Sequence, residues 1–329
     1  MHLKHTRGEF KRFYSMHLER RVIFDIIIYR VCEKEMSLAT LKEVLDIAQE
    51  RNCAIGMFNV VNMEYAEAIV QAAEELEFPV ILGFPEVFFE YHPFDVTARY
   101  IVDVAKHSKV PTAVHLDHGS DFEIIMRVLK HGFTSVMFDG SAMEFDENVR
   151  QTSEIVRVAH AMGASVEGEL GYLGFEVIKG ENDAQSNSLD LTDPTRLTKP
   201  EQAKEFVERT GVDALAIAIG NMHGHYRGTP KLDLTRLDEI NHVANCALVL
   251  HGGSGLSDES FRDAIRLGIR KINIHTSLSD FALDYLRKEL PESGSWLELS
   301  DNLRAELKNC IKSMIYTFER LDGEIKIAN

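Results

Sequence analysis

Short apolar runs alternate along the chain with longer stretches in which apolar residues recur every three or four positions. From Ala54 onward, nearly continuous apolar runs predict strands over 54–58, 80–83, 112–116, 135–138, 165–170, 214–219, 247–250 and 271–274. Helical periods fall between them, at 64–76, 121–130, 147–162, 200–210 and 257–267. Unbroken apolar runs suit parallel strands, whose two faces are both covered by helices. Eight such runs, each followed by a crossover, predict an α/β protein with a (β/α)8 TIM barrel; a doubly wound open sheet has the same alternation and remains the rival on pattern alone. The tail over 296–321 has a helical period and is expected to pack outside the barrel or at a subunit contact. Two stretches break the rhythm. Residues 171–198 are long, polar and rich in Gly, Asn, Asp and Ser, more loop than a compact domain carries without a use, and 220–234 is a shorter second case.

Before the barrel pattern begins, residues 1–35 carry eight Lys/Arg against five Asp/Glu, and their apolar run from Val22 to Ile28 is broken by Asp25. That run is too short to span a bilayer and no small-residue cleavage site follows it. The expected organisation is therefore an N-terminal extension, 1–35, followed by one barrel domain, 36–329, that includes the C-terminal helices. Composition narrows the function classes. Over 329 residues, 36 Lys+Arg against 52 Asp+Glu leave a formal net charge of −16. Nucleic-acid binders draw most of their affinity from a basic surplus, so nucleic acid and anionic membrane are poor partners for this chain. The four cysteines, Cys32, Cys53, Cys246 and Cys310, are far apart with no CxxC pair, which argues against a disulfide framework or thiolate zinc site and fits a reducing cytoplasm.

In a TIM barrel the chemistry sits at the carboxyl ends of the strands. The dipeptide His-Gly occurs four times. His131-Gly132 follows a helical stretch and reads as a helix C-terminus. His118, His223 and His251 instead follow apolar β runs, so a barrel would bring all three to one mouth. A lone histidine at a strand end is ordinarily a hydrogen-bonded structural residue, but three imidazoles suit a divalent, zinc-like ion with open positions. Their spacing is no short-range metal signature, and both readings stay open at this point. Asp117, beside His118, can transfer a proton or orient an imidazole; its alternative role as a helix cap is better served by Ser120 or Asp121. Glu167 and Glu169 share a strand face by period-two alternation, and two like charges inside a barrel call for a compensating cation or donors. Gly252-Gly253-Ser254-Gly255 and Asn273-Ile274-His275-Thr276 follow the last two predicted strands, where such barrels commonly bind phosphate.

The segments Phe58-Asn59-Val60, His115-Leu116-Asp117-His118-Gly119, Ser135 to Ser141, Val166-Glu167-Gly168-Glu169-Leu170-Gly171, His223-Gly224, His251 to Gly255 and Lys271-Ile272-Asn273-Ile274, taken in order, resemble the class II, zinc-dependent fructose-bisphosphate and tagatose-bisphosphate aldolase family. The resemblance covers about Leu38 to Leu290. It implies a TIM-barrel metalloenzyme that splits a phosphorylated ketose reversibly into dihydroxyacetone phosphate and an aldehyde. It also implies one Zn2+ and an accompanying monovalent cation, a small phosphorylated sugar as partner, and a homodimer or homotetramer. By position His118, His223 and His251 match the zinc ligands, with Glu169 able to approach the metal and Asp139 supporting its surroundings. Asp117 matches the acid that protonates the aldehyde oxygen. Gly224, Gly252, Gly253, Ser254, Asn273 and Thr276 match the ketose-side phosphate site, and Asn59 a polar group near the bound substrate.

Three positions depart from the family pattern. Glu176 is the nearest match to the loop base, shifted by one position in Leu173-Gly174-Phe175-Glu176-Val177, with Glu181 a weaker substitute. Gly83-Phe84-Pro85-Glu86 stands where relatives carry a substrate-binding serine. His275 replaces a small residue before Thr276, which is expected to crowd the phosphate pocket. A metal-dependent hydrolase on a similar barrel and a noncatalytic family member are the competing readings.

Overall fold

The expected strands close into a ring. In the computed structural model, residues 37–171, 173, 193, 195–226 and 230–319 are described. The extension over 1–35, Glu176, Glu181 and most of the polar stretch 171–198 lie outside them. Nine strands, all parallel, form one sheet: β1 (Leu38–Ala39), β2 (Ile55–Asn59), β3 (Val80–Pro85), β4 (Thr112–Gly119), β5 (Ser135–Phe138), β6 (Ser165–Leu170), β7 (Ala214–Ile217), β8 (Ala247–Leu250) and β9 (Ile269–Ile274). Strand β2 pairs with β9 (Met57 opposite Asn273) and β4 with β5 (His115 opposite Ser135), so β2–β9 make a closed (β/α)8 barrel and the open-sheet rival is excluded. The two-residue β1 was not visible in the sequence pattern; it pairs with Thr112 and Ala113 at the start of β4.

Local signals set the helix ends. Thr40 and Glu43 form a reciprocal capping box at the start of the helix Leu41–Arg51. Pro200 opens the helix Pro200–Thr210 and Gly211 closes it at φ +72°, a left-handed conformation that favours glycine. His131 ends the helix Phe122–Lys130 with its ring 2.8 Å from the Arg127 carbonyl, the structural role expected from its context. Asp121 caps that same helix through the Ile124 amide, leaving Asp117 for other work.

Two strand ends differ from the pattern, each for a stated reason. Strand β4 runs on to Gly119 through a register shift between Leu116 and Gly119, with His118 at φ +51°. Strand β7 stops at Ile217 because the next amides leave the ladder: Ala218 donates to the Thr198 hydroxyl and Ile219 to the Asn221 side chain.

The C-terminal tail is one helix, Trp296–Glu319, packed outside the barrel against the helix Met63–Glu75. Leu299, Leu303, Leu307, Ile311 and Ile315 form its buried stripe at a spacing of four, and Ala54 at the entry of β2 donates to the Phe318 carbonyl. Among the described residues no helix is long and apolar enough to cross a membrane.

Because Leu307 is fully buried, Leu307→Ala is expected to lower unfolding free energy by about 3 kcal/mol. Trp296, two-thirds exposed on the same helix, should change it by less than about 0.5 kcal/mol when truncated. Urea denaturation of both variants checks whether the tail is part of the cooperative core.

Candidate metal and proton-transfer site

Strand ends at the carboxyl mouth bring the predicted residues together. Asn59 ends β2, Asp117 and His118 lie near the end of β4, and Asn273 lies near the end of β9. His251 follows β8 directly, and His223 sits in the loop beyond β7. The Nε2 of His118 lies 3.2 Å from Nε2 of His223 and 3.1 Å from Nδ1 of His251. For comparison, metal–nitrogen bonds of 2.0–2.1 Å at tetrahedral angles separate ligand nitrogens by about 3.3 Å.

The far side of two of these rings is fixed by a carboxylate. Asp139 Oδ2 lies 2.8 Å from Nδ1 of His118, and Glu167 Oε1 lies 2.7 Å from Nε2 of His251. An ionised carboxylate only accepts, so each ring carries a proton on that nitrogen and turns its other nitrogen to the centre. Asp139 is held in turn by the Ser141 hydroxyl at 2.6 Å and amide at 3.1 Å. Ring nitrogens this close repel if all are bare, so a proton or a metal ion must lie among them, and the titration tendencies agree. Burial pushes the His118 imidazole down, but Asp117, Asp139 and Glu169 outweigh it and bring it up to about 10. Burial, then the His118 charge, pushes His223 down to about 3 and His251 well below its ordinary range. The pocket favours a cation at the point where the three nitrogens meet, and these three residues can hold a metal ion.

Glu169 lies behind them. Its Oε2 has no hydrogen-bond partner and faces Nδ1 of His118 at 3.9 Å and Nδ1 of His251 at 3.8 Å. Burial raises its carboxyl well above the usual range, and repulsion from Asp139 adds to this. Glu169 thus sits where it is available to a nearby cation, in a cluster with His118 and Asp139.

Asp117 faces the same centre, with Oδ1 3.9 Å from Nε2 of His118. Both its oxygens accept amide hydrogens, from Asn59 at 3.2 Å and Asn273 at 3.1 Å. Burial pushes this carboxyl up, but His118, His251 and Lys271 outweigh it and hold it below its ordinary value. An ionised carboxylate is therefore presented beside the three converging nitrogens. The amide of Asn273, expected near phosphate, is committed to Asp117 and Lys271. Asn59 keeps a buried Oδ1 with no protein partner, and a Cβ at Gly83 would stand 2.5 Å from it.

The glycine-rich turn is built for close backbone approach. Gly252 has φ +63°, and a Cβ there would lie 2.0 Å from the Met222 carbonyl, so the chain beyond β8 packs against the loop that carries His223. Asn221 binds the same two segments by donating to the carbonyls of His251 and Ile217, and Tyr226 does so by donating to the Gly252 carbonyl while accepting from the Met222 amide. Gly253 donates its amide to the Asn273 carbonyl. Ser254 Oγ accepts from the Ser277 amide in the first turn of the helix Thr276–Glu289, placing Thr276 and Ser254 side by side at that helix's positive end. Gly224 turns the loop next to His223 at φ +86°.

The unusual His275 meets the turn that follows β3. Phe88, in the turn Glu86–Glu90 after β3, sets its ring edge-on to His275 at 5.4 Å. Glu86 in the same turn accepts from the amide and hydroxyl of Ser120, just beyond His118. Sequence reasoning did not assign roles to Lys271, Ser141 or Asn221. Lys271 had one legible signal, a place two residues before Asn273 on the same strand face. Asn221 and Ser141 act through loop contacts that no periodicity reports.

A family model described as fructose-bisphosphate aldolase class-II matches residues 39–322. The fructose-bisphosphate aldolase of Geobacillus stearothermophilus is 42% identical over 244 residues, covering 73% of this chain and 82% of that one. The uncharacterized protein YdjI of Escherichia coli K12 is 39% identical over 271 residues, covering 82% and 94%. A crystal structure of the YdjI aldolase superposes with a TM-score of 0.75 at 37% identity, covering 85% of this chain and 97% of that one.

Removing the charge that orients His118 is expected to weaken divalent-metal binding by about 10- to 100-fold in Asp139→Asn. Asp95 pairs with His131 on the surface, and Asp95→Asn should leave the affinity unchanged. Competition against a chromophoric chelator measures both.

Proposed function

The chain belongs to the class II fructose-bisphosphate aldolase family, and we propose that it is a zinc-dependent aldolase that cleaves a phosphorylated ketose reversibly to dihydroxyacetone phosphate and an aldehyde. The substrate would be a fructose- or tagatose-bisphosphate-like sugar or a related ketose 1-phosphate. One observation carries this reading: an ionised carboxylate, Asp117, stands 3.9 Å from the nitrogen of His118 at which three imidazoles converge. Zinc held by His118, His223 and His251 would supply Lewis-acid polarisation of the ketose carbonyl, so no Schiff-base lysine is required.

The protein's own groups divide the remaining work. In cleavage a base must take the proton of the hydroxyl next to the breaking carbon–carbon bond, and in condensation the same group must return it to the aldehyde oxygen. Asp117 suits both directions, because its two amide donors orient the carboxylate while buried positive neighbours keep it ionised until it takes a proton. The proton on the carbon of dihydroxyacetone phosphate is assigned to Glu176, by its place in the sequence after Leu170 and by the family resemblance. The phosphate is assigned to Gly224, Ser254 and Thr276, where a helix start offers its positive end, with Gly252 and Gly253 letting the neighbouring backbone segments close around it. Anchoring the phosphate there would fix the reacting carbon over the histidines. A hydrolase would have no use for this paired phosphate cradle.

The reading predicts chelator-sensitive release of dihydroxyacetone phosphate from at least one member of a panel of ketose 1-phosphates and 1,6-bisphosphates. No release from any of them with zinc restored would sink it. Asp117→Asn should lower kcat by about 10²- to 10⁴-fold with zinc still bound. Glu176→Ala should abolish hydrogen exchange at the dihydroxyacetone phosphate carbon, measured by deuterium incorporation, without loss of zinc; unaltered exchange places that base elsewhere.

A further inference from the structure

Lys271 is the one fully buried lysine among the described residues, and its ammonium group touches both halves of the site. On one side Nζ lies 2.8 Å from Glu167 Oε2, whose other oxygen accepts from Nε2 of His251 at 2.7 Å. On the other side Nζ donates at 2.8 Å to Asn273 Oδ1, whose amide nitrogen donates at 3.1 Å to Asp117 Oδ1. We propose that Lys271 is a positioning residue that couples the metal-holding arm, Glu167–His251, to the proton-transfer arm, Asn273–Asp117. This rests on the metal-dependent reading above.

The first arm works through the choice of ring nitrogen. His251 turns Nδ1 to the centre, whereas His118 and His223 turn Nε2. Nδ1 faces the centre because Glu167 Oε1 holds Nε2 at 2.7 Å, so the placing of that carboxylate fixes the ring. Glu167 is fully buried in the barrel, where a carboxylate needs a partner for each oxygen. Lys271 Nζ, 2.8 Å from Oε2, holds the carboxylate in the place from which Oε1 meets His251. His115 is the other nitrogen near Glu167 Oε2, at 3.7 Å; burial pushes it well below its ordinary range, so it stays neutral and does not replace the lysine.

The second arm works through an amide flip. The oxygen and nitrogen of an asparagine side chain are nearly interchangeable in shape, and only partners decide which way the group points. Lys271 has no acceptor, so it admits only the oxygen of Asn273, and that leaves the NH2 group for Asp117. Without the lysine Asn273 Oδ1 loses its 2.8 Å anchor, and only Asp117 is left to hold the amide in place. An ion pair that served only to stabilise the barrel would touch one arm; Lys271 reaches both from one nitrogen.

Two measurements test the coupling in the full-length chain: zinc affinity by chelator competition, and kcat at saturating zinc on whichever ketose phosphate of the panel the wild type cleaves. Lys271→Met should weaken zinc binding at least tenfold and, with zinc restored to saturation, still lower kcat at least tenfold. Asn273→Ala should lower kcat while leaving zinc affinity unchanged. A Lys271→Met variant that is less stable but equal to wild type in both readouts would overturn the proposal. If the unpaired Glu167 prevents that variant from folding, Lys271→Met/Glu167→Gln is compared with Glu167→Gln alone. The double variant should have the lower kcat at saturating zinc, since Glu167 does not touch Asn273, and equality overturns the coupling. A wild type that binds no zinc refutes the metal-dependent reading itself, and one that binds zinc but cleaves no sugar refutes only the activity, with the affinity comparison still deciding the metal arm.

Discussion

Two imidazole nitrogens held within 3.2 Å of a third constrain everything around them. They cannot be brought together without a positive charge between them and without rings locked against rotation. Barrel closure supplies the convergence, because it makes neighbours of strand ends more than a hundred residues apart in sequence. The ring locks come from carboxylates on other strands: Asp139 after β5 for His118, and Glu167 on β6 for His251. The left-handed backbone at His118 and the register shift before Gly119 are the local consequence, since a regular strand would point this side chain elsewhere.

Those carboxylates create the second constraint. Asp117, Glu167 and Glu169 are all nearly or fully buried in one barrel, and each ionised one must be offset locally because the interior screens poorly. The structure offsets them unequally. Asp117 is kept charged by amide donors and positive neighbours, and Glu167 is set within 2.8 Å of Lys271 and 2.7 Å of His251, while burial raises Glu169 toward its neutral form. Asp117 and Glu169, in one pocket, are thereby pushed in opposite directions, which suits a site that must both hold a cation and handle protons at a single pH.

The sequence pattern located all eight barrel strands because parallel strands covered on both faces leave unbroken apolar runs. It misplaced ends where side chains replaced ladder bonds, as Thr198 and Asn221 do beyond Ile217. It placed His118, His223, His251 and Asp117 at the mouth, since strand-end position is a one-dimensional property. What it left unread was pairwise. That Asn273 faces Asp117 rather than solvent, or that Phe88 meets His275, depends on which strands are neighbours in the ring. Lys271 shows the limit most clearly: in the chain it is one charged residue ahead of an apolar position, and only barrel closure sets it between Glu167 and Asn273.

Net charge and local charge now separate. A chain at −16 repels an anionic sugar phosphate at long range, so recognition has to come from short-range groups. The structure concentrates these at the mouth: a cation-favouring histidine cluster, the start of the helix Thr276–Glu289 beside Ser254, and glycines that let backbone segments approach within contact distance. Within a few ångströms, in a partly desolvated pocket, such groups outweigh a diffuse surface charge screened over about 8 Å of physiological salt solution. The acidity of the surface is therefore compatible with an anionic substrate, provided the positive groups are buried and fixed, which is the condition the carboxylate-locked histidines and Lys271 meet.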